Sequence, residues 1–473
     1  MSFESFSTRI LKHPGVATFP AIAPMAAPNL ATPYVTAMNN QLLVATSVSS
    51  MLKEALTKVD LVGPDNQPQT YNVRATYLTS LLDGIDLNRL TYPKGLDDVE
   101  IWEVDVPDGS DIFAVADGVR NQIPGDPRRI SPNHVLIPAN EGFGCPHGPP
   151  SLPPEGTTFT LPSPRTSSPP PRITLIDSGY IWDPAWGVPP VTAAGGPAEQ
   201  LPTVAEATGA AGPHWQPGSS ESESFVNGQD WVTAPDGSQR LPALAGHANF
   251  SLSLLFKGCP EATFTLHAHN GSFVDASVNE LPTEVTVARS LCQAAASGAD
   301  VVSLGFAFPA YNGDPAWVWN TACSLFGYGG TFQKPTIDKQ RATVIVVPAG
   351  NQNSPNPRFP AALAYTFKTG PFKNVIGVGS TKPADGPTQA WAGPYSNNGP
   401  WVTCSADGTD VISNFPHVNA ALEDAETAVP VDFTAGVAQW TGTSFSTPKV
   451  AARIASSLAG SNHVPLDAWT LVR

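Results

Sequence analysis

Five short apolar runs constrain this chain more than any other feature. They are ITLI (173–176), FTLHA (264–268), VVSLG (301–305), TVIVV (343–347) and VIGVG (375–379). A strand with one wet face alternates apolar and polar residues. These runs largely do not, so both of their faces must be covered. Between two of them, Glu284 to Ser297 places Val285, Ala288, Leu291, Cys292 and Ala295 at helical spacing, and Gly298 supplies a C-terminal stop. Apolar strands alternating with helices predict an α/β domain over 172–473, with a largely parallel sheet and helices on both faces. Within it, residues 186–245 are rich in Pro, Gly, Ser and Glu, include SSESES at 219–224, and read as a surface insertion.

The preceding residues divide by composition. Residues 1–40 are rich in Pro and Ala and read as a poorly ordered lead-in. Over 41–140, QLLVATS and DVEIWEVDV read as strands, DIFAVADGVRNQ as a helix and NHVLIP as a final strand. That order suits a small α+β sandwich of the split βαβ type. Residues 141–171 read as an extended, exposed linker, because ten prolines fall between 145 and 171.

Charge and cysteine usage exclude some functions. A net charge of −15 repels nucleic acid and anionic membrane surfaces. No segment approaches the ~20 apolar residues of a membrane span. The first residues carry no apolar stretch of signal-peptide length, so a cytoplasmic location is expected, with export by an unrecognised route as the alternative. The five cysteines, Cys145, Cys259, Cys292, Cys323 and Cys404, lie far apart and fit reduced thiols, leaving room for one bridge. His267 and His269 fall on one face of a strand, but no third ligand accompanies them. With neither an H-E-x-x-H motif nor a cysteine cluster, no metal and no cofactor is expected.

The chemistry-bearing residues fall at the ends of these elements, where open α/β sheets gather their working groups. The run at 173–176 leads into Asp177-Ser178-Gly179, and that at 343–347 into Pro348-Ala349-Gly350-Asn351. His247 opens the helical stretch HANFSLSLLF. Ser444 opens SFSTPKVAARIASSL, in which Val450, Ile454 and Leu458 form a buried face and Pro448 is expected in the first turn. A hydroxyl at a helix start lies beside free backbone N–H groups and the positive dipole end, a suitable field for an oxyanion. His247 could take its proton, Asp177 could orient the imidazole, and the Asn351 amide could donate to the same oxyanion.

The segments LIDSGY, AGHANF, VVPAGNQNSPNPRFPAAL and GTSFSTP resemble, in order, the four signature blocks of the subtilisin-like serine proteases (subtilases). The resemblance covers roughly 172–460. It implies a serine endopeptidase with Asp177 as orienting carboxylate, His247 as general base, Ser444 as nucleophile and Asn351 with Ser444 as the oxyanion hole. It also implies that Ser303-Leu304-Gly305 pairs with the backbone of a peptide or protein substrate, with Gly350 beside it. Residues 41–140 are similar to the propeptide of such proteases, which chaperones folding and blocks the cleft until the tether is cut. The sequence departs from the family pattern after His247, where Leu252 and Ser253 replace small residues.

Each residue has a plainer reading. Asp177 could cap a turn, His247 could be a helix-start residue, Asn351 beside Gly350 could be a turn pair, and Ser444 could be an N-cap. Independent caps have no reason to fall in this order. Two other functions compete: a catalytically silent peptide-binding protein of the same fold, and a sedolisin-type protease. The sedolisin type would use a Glu–Asp pair, against which His247 and Asn351 argue.

Overall fold

Side chains that alternate along the strands sort this protein into layers. The computed structural model describes residues 16–20, 34–62, 67–87, 96–108, 110–135, 148–163, 165–178, 214–217, 232–233, 239–241, 244–269, 283–309, 317–326, 343–365, 372–381, 393–422 and 429–461, with positions 465 and 468. Cys145, SSESES and most of the expected insertion lie outside these residues.

The amino-terminal unit consists of β1 (Val16–Pro20), β2 (Tyr34–Ala45), α1 (Thr46–Leu56), β3 (Val59–Val62), β4 (Pro68–Tyr71), β5 (Ala75–Ser80), β6 (Val99–Val104), α2 (Ile112–Arg120) and β7 (Ile130–His134). Its antiparallel sheet runs β1-β2-β6-β5, with β7 also on β2, while β3 and β4 form a separate hairpin. Period-two alternation places Leu42 and Val44 against Leu52 of α1 and Phe113 of α2. Leu43 points the other way. Asp111 caps α2 by accepting from the Ala114 N–H at 2.8 Å. The expected lead-in is partly structured: β1 and the start of β2 fall within residues 1–40 and pair, Val16 opposite Met38. Main-chain pairing builds this edge, so proline- and alanine-rich surroundings gave no sign of it.

The second unit carries β8 (Arg172–Asp177), β9 (His214–Pro217), β10 (Val232–Thr233), β11 (Gln239–Leu241), α3 (His247–Gly258), β12 (Thr263–Ala268), α4 (Glu284–Ser297), β13 (Val301–Leu304), α5 (Trp317–Ser324), β14 (Val344–Pro348), β15 (Val375–Thr381), β16 (Val402–Asp407), β17 (Val411–Asn414), β18 (Asn419–Leu422), β19 (Val431–Asp432), β20 (Val437–Trp440) and α6 (Thr443–Leu458). Its main sheet has seven parallel strands in the order β16-β15-β14-β13-β8-β12-β9. All five apolar runs are strands of it. β9 comes from the expected insertion, so part of that stretch is an edge strand of the sheet. Successive residues serve opposite layers. Val344 and Val346 pack with Leu255 of α3 and Ile454 of α6, whereas Ile345 and Val347 pack with Leu291 of α4 and Trp319 of α5. This explains runs without polar interruption.

The free face of the amino-terminal sheet completes the second layer. Leu43, Val99 and Ile101 belong to the same core as Val287, Ala288 and Leu291 of α4. Polar contacts join the units around this patch. The Thr321 hydroxyl donates to the Asp97 carbonyl at 2.6 Å. His134 Nδ1–H donates to Glu284 Oε2 at 2.5 Å, and the Trp319 indole donates to Glu284 Oε1 at 2.7 Å.

The described residues of the proline-rich stretch are mostly exposed and form no helix or long strand, as its prolines require, but parts of them are fastened to the second unit. Ser151 pairs antiparallel with Gln439 of β20, the Trp440 indole donates to the Gly148 carbonyl at 2.7 Å, and Pro150 is buried. Phe159 and Leu161 pack on the cores beside α3. Cys259, Cys292 and Cys323 are buried free thiols. Among the described residues, no helix is long and apolar enough to cross a membrane.

Candidate active site

The chain enters the main sheet at β8, adds β12 and β9 on one side, then returns to add β13 and the rest on the other. The direction of addition therefore reverses between β8 and β13, and sites in such sheets lie beyond the carboxyl ends of the strands at that point. Asp177 ends β8, and Gly305 follows β13.

His247 is the first residue of α3, after Gly246, whose φ of +78° places the N-cap in the left-handed region. Its Nδ1–H donates to Asp177 Oδ1 at 2.5 Å. A carboxylate accepts only, so this bond assigns the proton to Nδ1 and leaves Nε2 as the basic nitrogen of the neutral ring. Asp177 Oδ1 also accepts from the Ser178 N–H at 2.6 Å. The imidazole is walled by Trp440, at 5.6 Å between ring centroids and edge-on, and by Phe445, at 5.1 Å. Ser178 ties the two elements together. Its hydroxyl donates to the Leu244 carbonyl and accepts from the Ala248 N–H, each at 3.1 Å, capping a helix whose own N-cap has no side chain.

Ser444 is the second residue of α6. Its hydroxyl donates to the Gly305 carbonyl at 3.4 Å. Sequence reasoning aimed it at His247, whose Nε2 makes no hydrogen bond among the described residues. Ser444 and Asp177 nevertheless both border Gly305, where an added Cβ would lie 2.5 Å from Asp177 Oδ2. Pro448 is the sixth helical residue, in the second turn rather than the first as expected. Its missing N–H removes the intrahelical donor to the Ser444 carbonyl.

Asn351 stands on the turn after β14. Its Oδ1 accepts from both the N–H and the hydroxyl of Thr443, each at 2.9 Å, which fixes the orientation of the amide. The Gly350 N–H donates to the Thr443 hydroxyl at 3.2 Å, so the residue before Ser444 holds this turn to the start of α6. Asn397 fastens the turn from the other side. Ser303 is buried in mid-sheet, paired with Leu175 of β8 and Val346 of β14, whereas Leu304 pairs with Ile176 of β8 at the end of that register. Gly305 follows it at the rim, beside Asp177. The pair at the end of β12 does not converge on a shared ligand position: His269 Nε2 meets the Ser290 hydroxyl at 2.9 Å, while burial holds the His267 imidazole down to about 4.

Sequence reasoning missed Thr443 and Asn397 as site residues and gave Ser178 no role of its own. Thr443 was legible from its place beside Ser444. Asn397 lies in YSNNG, which reads only as a turn.

The seven-stranded parallel sheet thus carries an Asp–His pair and a helix-borne Ser at the carboxyl rim of its central strands. Over residues 272–470 the chain matches the subtilase family, a stretch that includes Asn351 and Ser444 and begins after Asp177 and His247. Similar chains among solved structures include a lanthipeptide protease, 15% identical over 64% of this chain and 78% of that one, with a TM-score of 0.39. The patellamide maturation protease PatA is 16% identical over 64% and 84%, with a TM-score of 0.38. A cold-adapted subtilisin-like serine proteinase is 15% identical over 63% and 80%, with a TM-score of 0.36. No curated protein matches the sequence.

Proposed function

We propose that this protein is a serine endopeptidase that cleaves peptide bonds through an acyl-enzyme. The observation that carries the reading is the 2.5 Å bond between His247 Nδ1–H and Asp177, at the sheet rim that Ser444 also borders. In this reading the Ser444 hydroxyl turns from Gly305 towards His247 Nε2, gives up its proton there and attacks the substrate carbonyl carbon. The resulting oxyanion takes hydrogen bonds from the Asn351 amide and the N–H groups at the start of α6. His247 passes its proton to the leaving amine as the C–N bond breaks. Water, deprotonated by the same nitrogen, then hydrolyses the ester and restores Ser444. Asp177 stays ionised and holds the imidazolium. A fluorophosphonate probe should label the wild-type chain, once residues 1–171 have been cut away and digested, and not Ser444→Ala. Absence of label on the wild type would leave the silent peptide-binding reading in its place.

The intact chain supports a latent form. Ser444 and His247 are 1% and 0% exposed, and a peptide must displace something to reach them. The amino-terminal unit is read as chaperone and inhibitor, on the support of the core it shares with α4 and of the proline-rich stretch paired to β20 beside Trp440. Intact mass measurement should show cutting within about 141–172 in the wild type and none in Ser444→Ala; equal cutting of both would reject self-processing. The buried thiols of Cys259, Cys292 and Cys323 support a reducing compartment.

A further inference from the structure

The turn that carries Asn351 leaves β14 and has few partners of its own, so its main-chain polar groups must be satisfied by something else. Asn397, 1% exposed and 46 positions later in the chain, satisfies four of them. Its Nδ2 donates to the Ala349 carbonyl at 2.9 Å and to Gln352 Oε1 at 3.0 Å. Its Oδ1 accepts from the Gln352 and Ser354 N–H groups, each at 3.0 Å. Its own N–H donates to the Gly350 carbonyl at 2.9 Å. Two acceptors face the nitrogen and two donors face the oxygen, so the amide has a single orientation that satisfies the site.

Gly350 shows how closely the turn is moulded to this side chain. Its φ is +101°, and an added Cβ would lie 2.4 Å from Asn397 Nδ2. Asn351 is thus held twice: at its amide by Thr443, and through the flanking backbone of Ala349, Gly350, Gln352 and Ser354 by Asn397. Thr443 alone fixes one atom of Asn351, and the Cα position still depends on the turn.

We propose that Asn397 is a positioning residue for the oxyanion hole, acting on the reaction only through Asn351. This rests on the proposed reading of Asn351 and Ser444. Aspartate at 397 would be the same size, yet would turn an acceptor towards the Ala349 carbonyl and Gln352 Oε1. The turn would shift while the sheet beneath it, held by β14 and β15 pairing, would not.

The test is a double-mutant cycle in the full-length chain with a peptide anilide substrate, active sites being titrated with fluorophosphonate. Asn351→Ala should lower kcat by about 10²–10³-fold, the range for loss of one oxyanion donor, with KM little changed. Asn397→Asp should lower kcat by about 10–10²-fold, again with KM little changed. Combining them should cost no more than Asn351→Ala alone, within about twofold, because a brace has nothing left to position. Multiplying losses would overturn the proposal and make Asn397 a general stabiliser of the fold. Asn397→Ser, smaller and able to donate and accept, replaces the aspartate variant in the same cycle if that variant does not fold, and is read by the same rule. A wild-type chain that takes no label and turns over no substrate would remove the reading of the site and this inference with it, an outcome distinct from an active enzyme with multiplying losses.

Discussion

Gly305→Ala adds one methyl group against the bond on which the proposed chemistry turns. The new Cβ would lie 2.5 Å from Asp177 Oδ2 and 2.7 Å from Cγ of the same carboxylate. Ordinary contact begins near 3.4 Å, so something must move by about 0.9 Å. The backbone of Gly305 resists, since its N–H donates to the Ile176 carbonyl at 2.8 Å within a seven-stranded sheet. The carboxylate is the freer partner, but it can retreat only by straining its bonds to His247 Nδ1 and the Ser178 N–H. Overpacking of this kind costs about 1–3 kcal/mol of stability. A displacement of about 1 Å in a catalytic group costs about 10²-fold in rate. The assay is the second-order rate constant of fluorophosphonate labelling, with thermal unfolding confirming that the variant is folded. The expected result is labelling slowed by about 10²-fold in a folded protein. Labelling at the wild-type rate would refute the reasoning, because the contact between Gly305 and Asp177 would then have no bearing on reactivity.

Burial holds the His267 imidazole neutral down to about 4, whereas in the unfolded chain it gains a proton below about 6.5. Its contribution is therefore fully present above pH 6.5 and is lost as pH falls towards 4. Urea unfolding should show about 2 kcal/mol lost through this group between pH 7 and pH 5, and His267→Gln should flatten that slope; an unchanged slope would contradict the reasoning. Glu284→Ala orphans two buried donors, His134 Nδ1–H and the Trp319 indole, and should cost about 1–3 kcal/mol for each in a denaturant titration. Ser178→Ala removes the external cap of α3 and should cost about 1 kcal/mol, with Ser178→Thr restoring it; thermal unfolding of the two variants decides, and equal midpoints would count against the cap.

How far the sequence could be read follows from the range of each interaction. The apolar runs announced the parallel sheet because burial on both faces leaves no polar position along a strand, and 344–347 shows this residue by residue. Asp177, His247, Asn351 and Ser444 stood out because each sits where an apolar element begins or ends. Partnerships across the chain left no local mark. Asn397 reads as a turn residue, β1 reads as proline-rich lead-in, and Ser151 gives no sign that it will pair with Gln439. Ser303 shows the same limit: its partners Leu175 of β8 and Val346 of β14 follow from strand order and register, which leave no local mark.

The core shared between the two units has a consequence for what a cut in the connecting chain can achieve. Hydrolysis removes one covalent link but leaves Leu43, Leu81, Val99 and Ile101 pressed against Val287, Leu291 and Trp319. Wetting an aliphatic side chain of this size costs about 1.5–3 kcal/mol, and several would be wetted at once. A nicked molecule therefore persists as a two-piece complex, and freeing the larger piece requires the smaller one to be digested or unfolded.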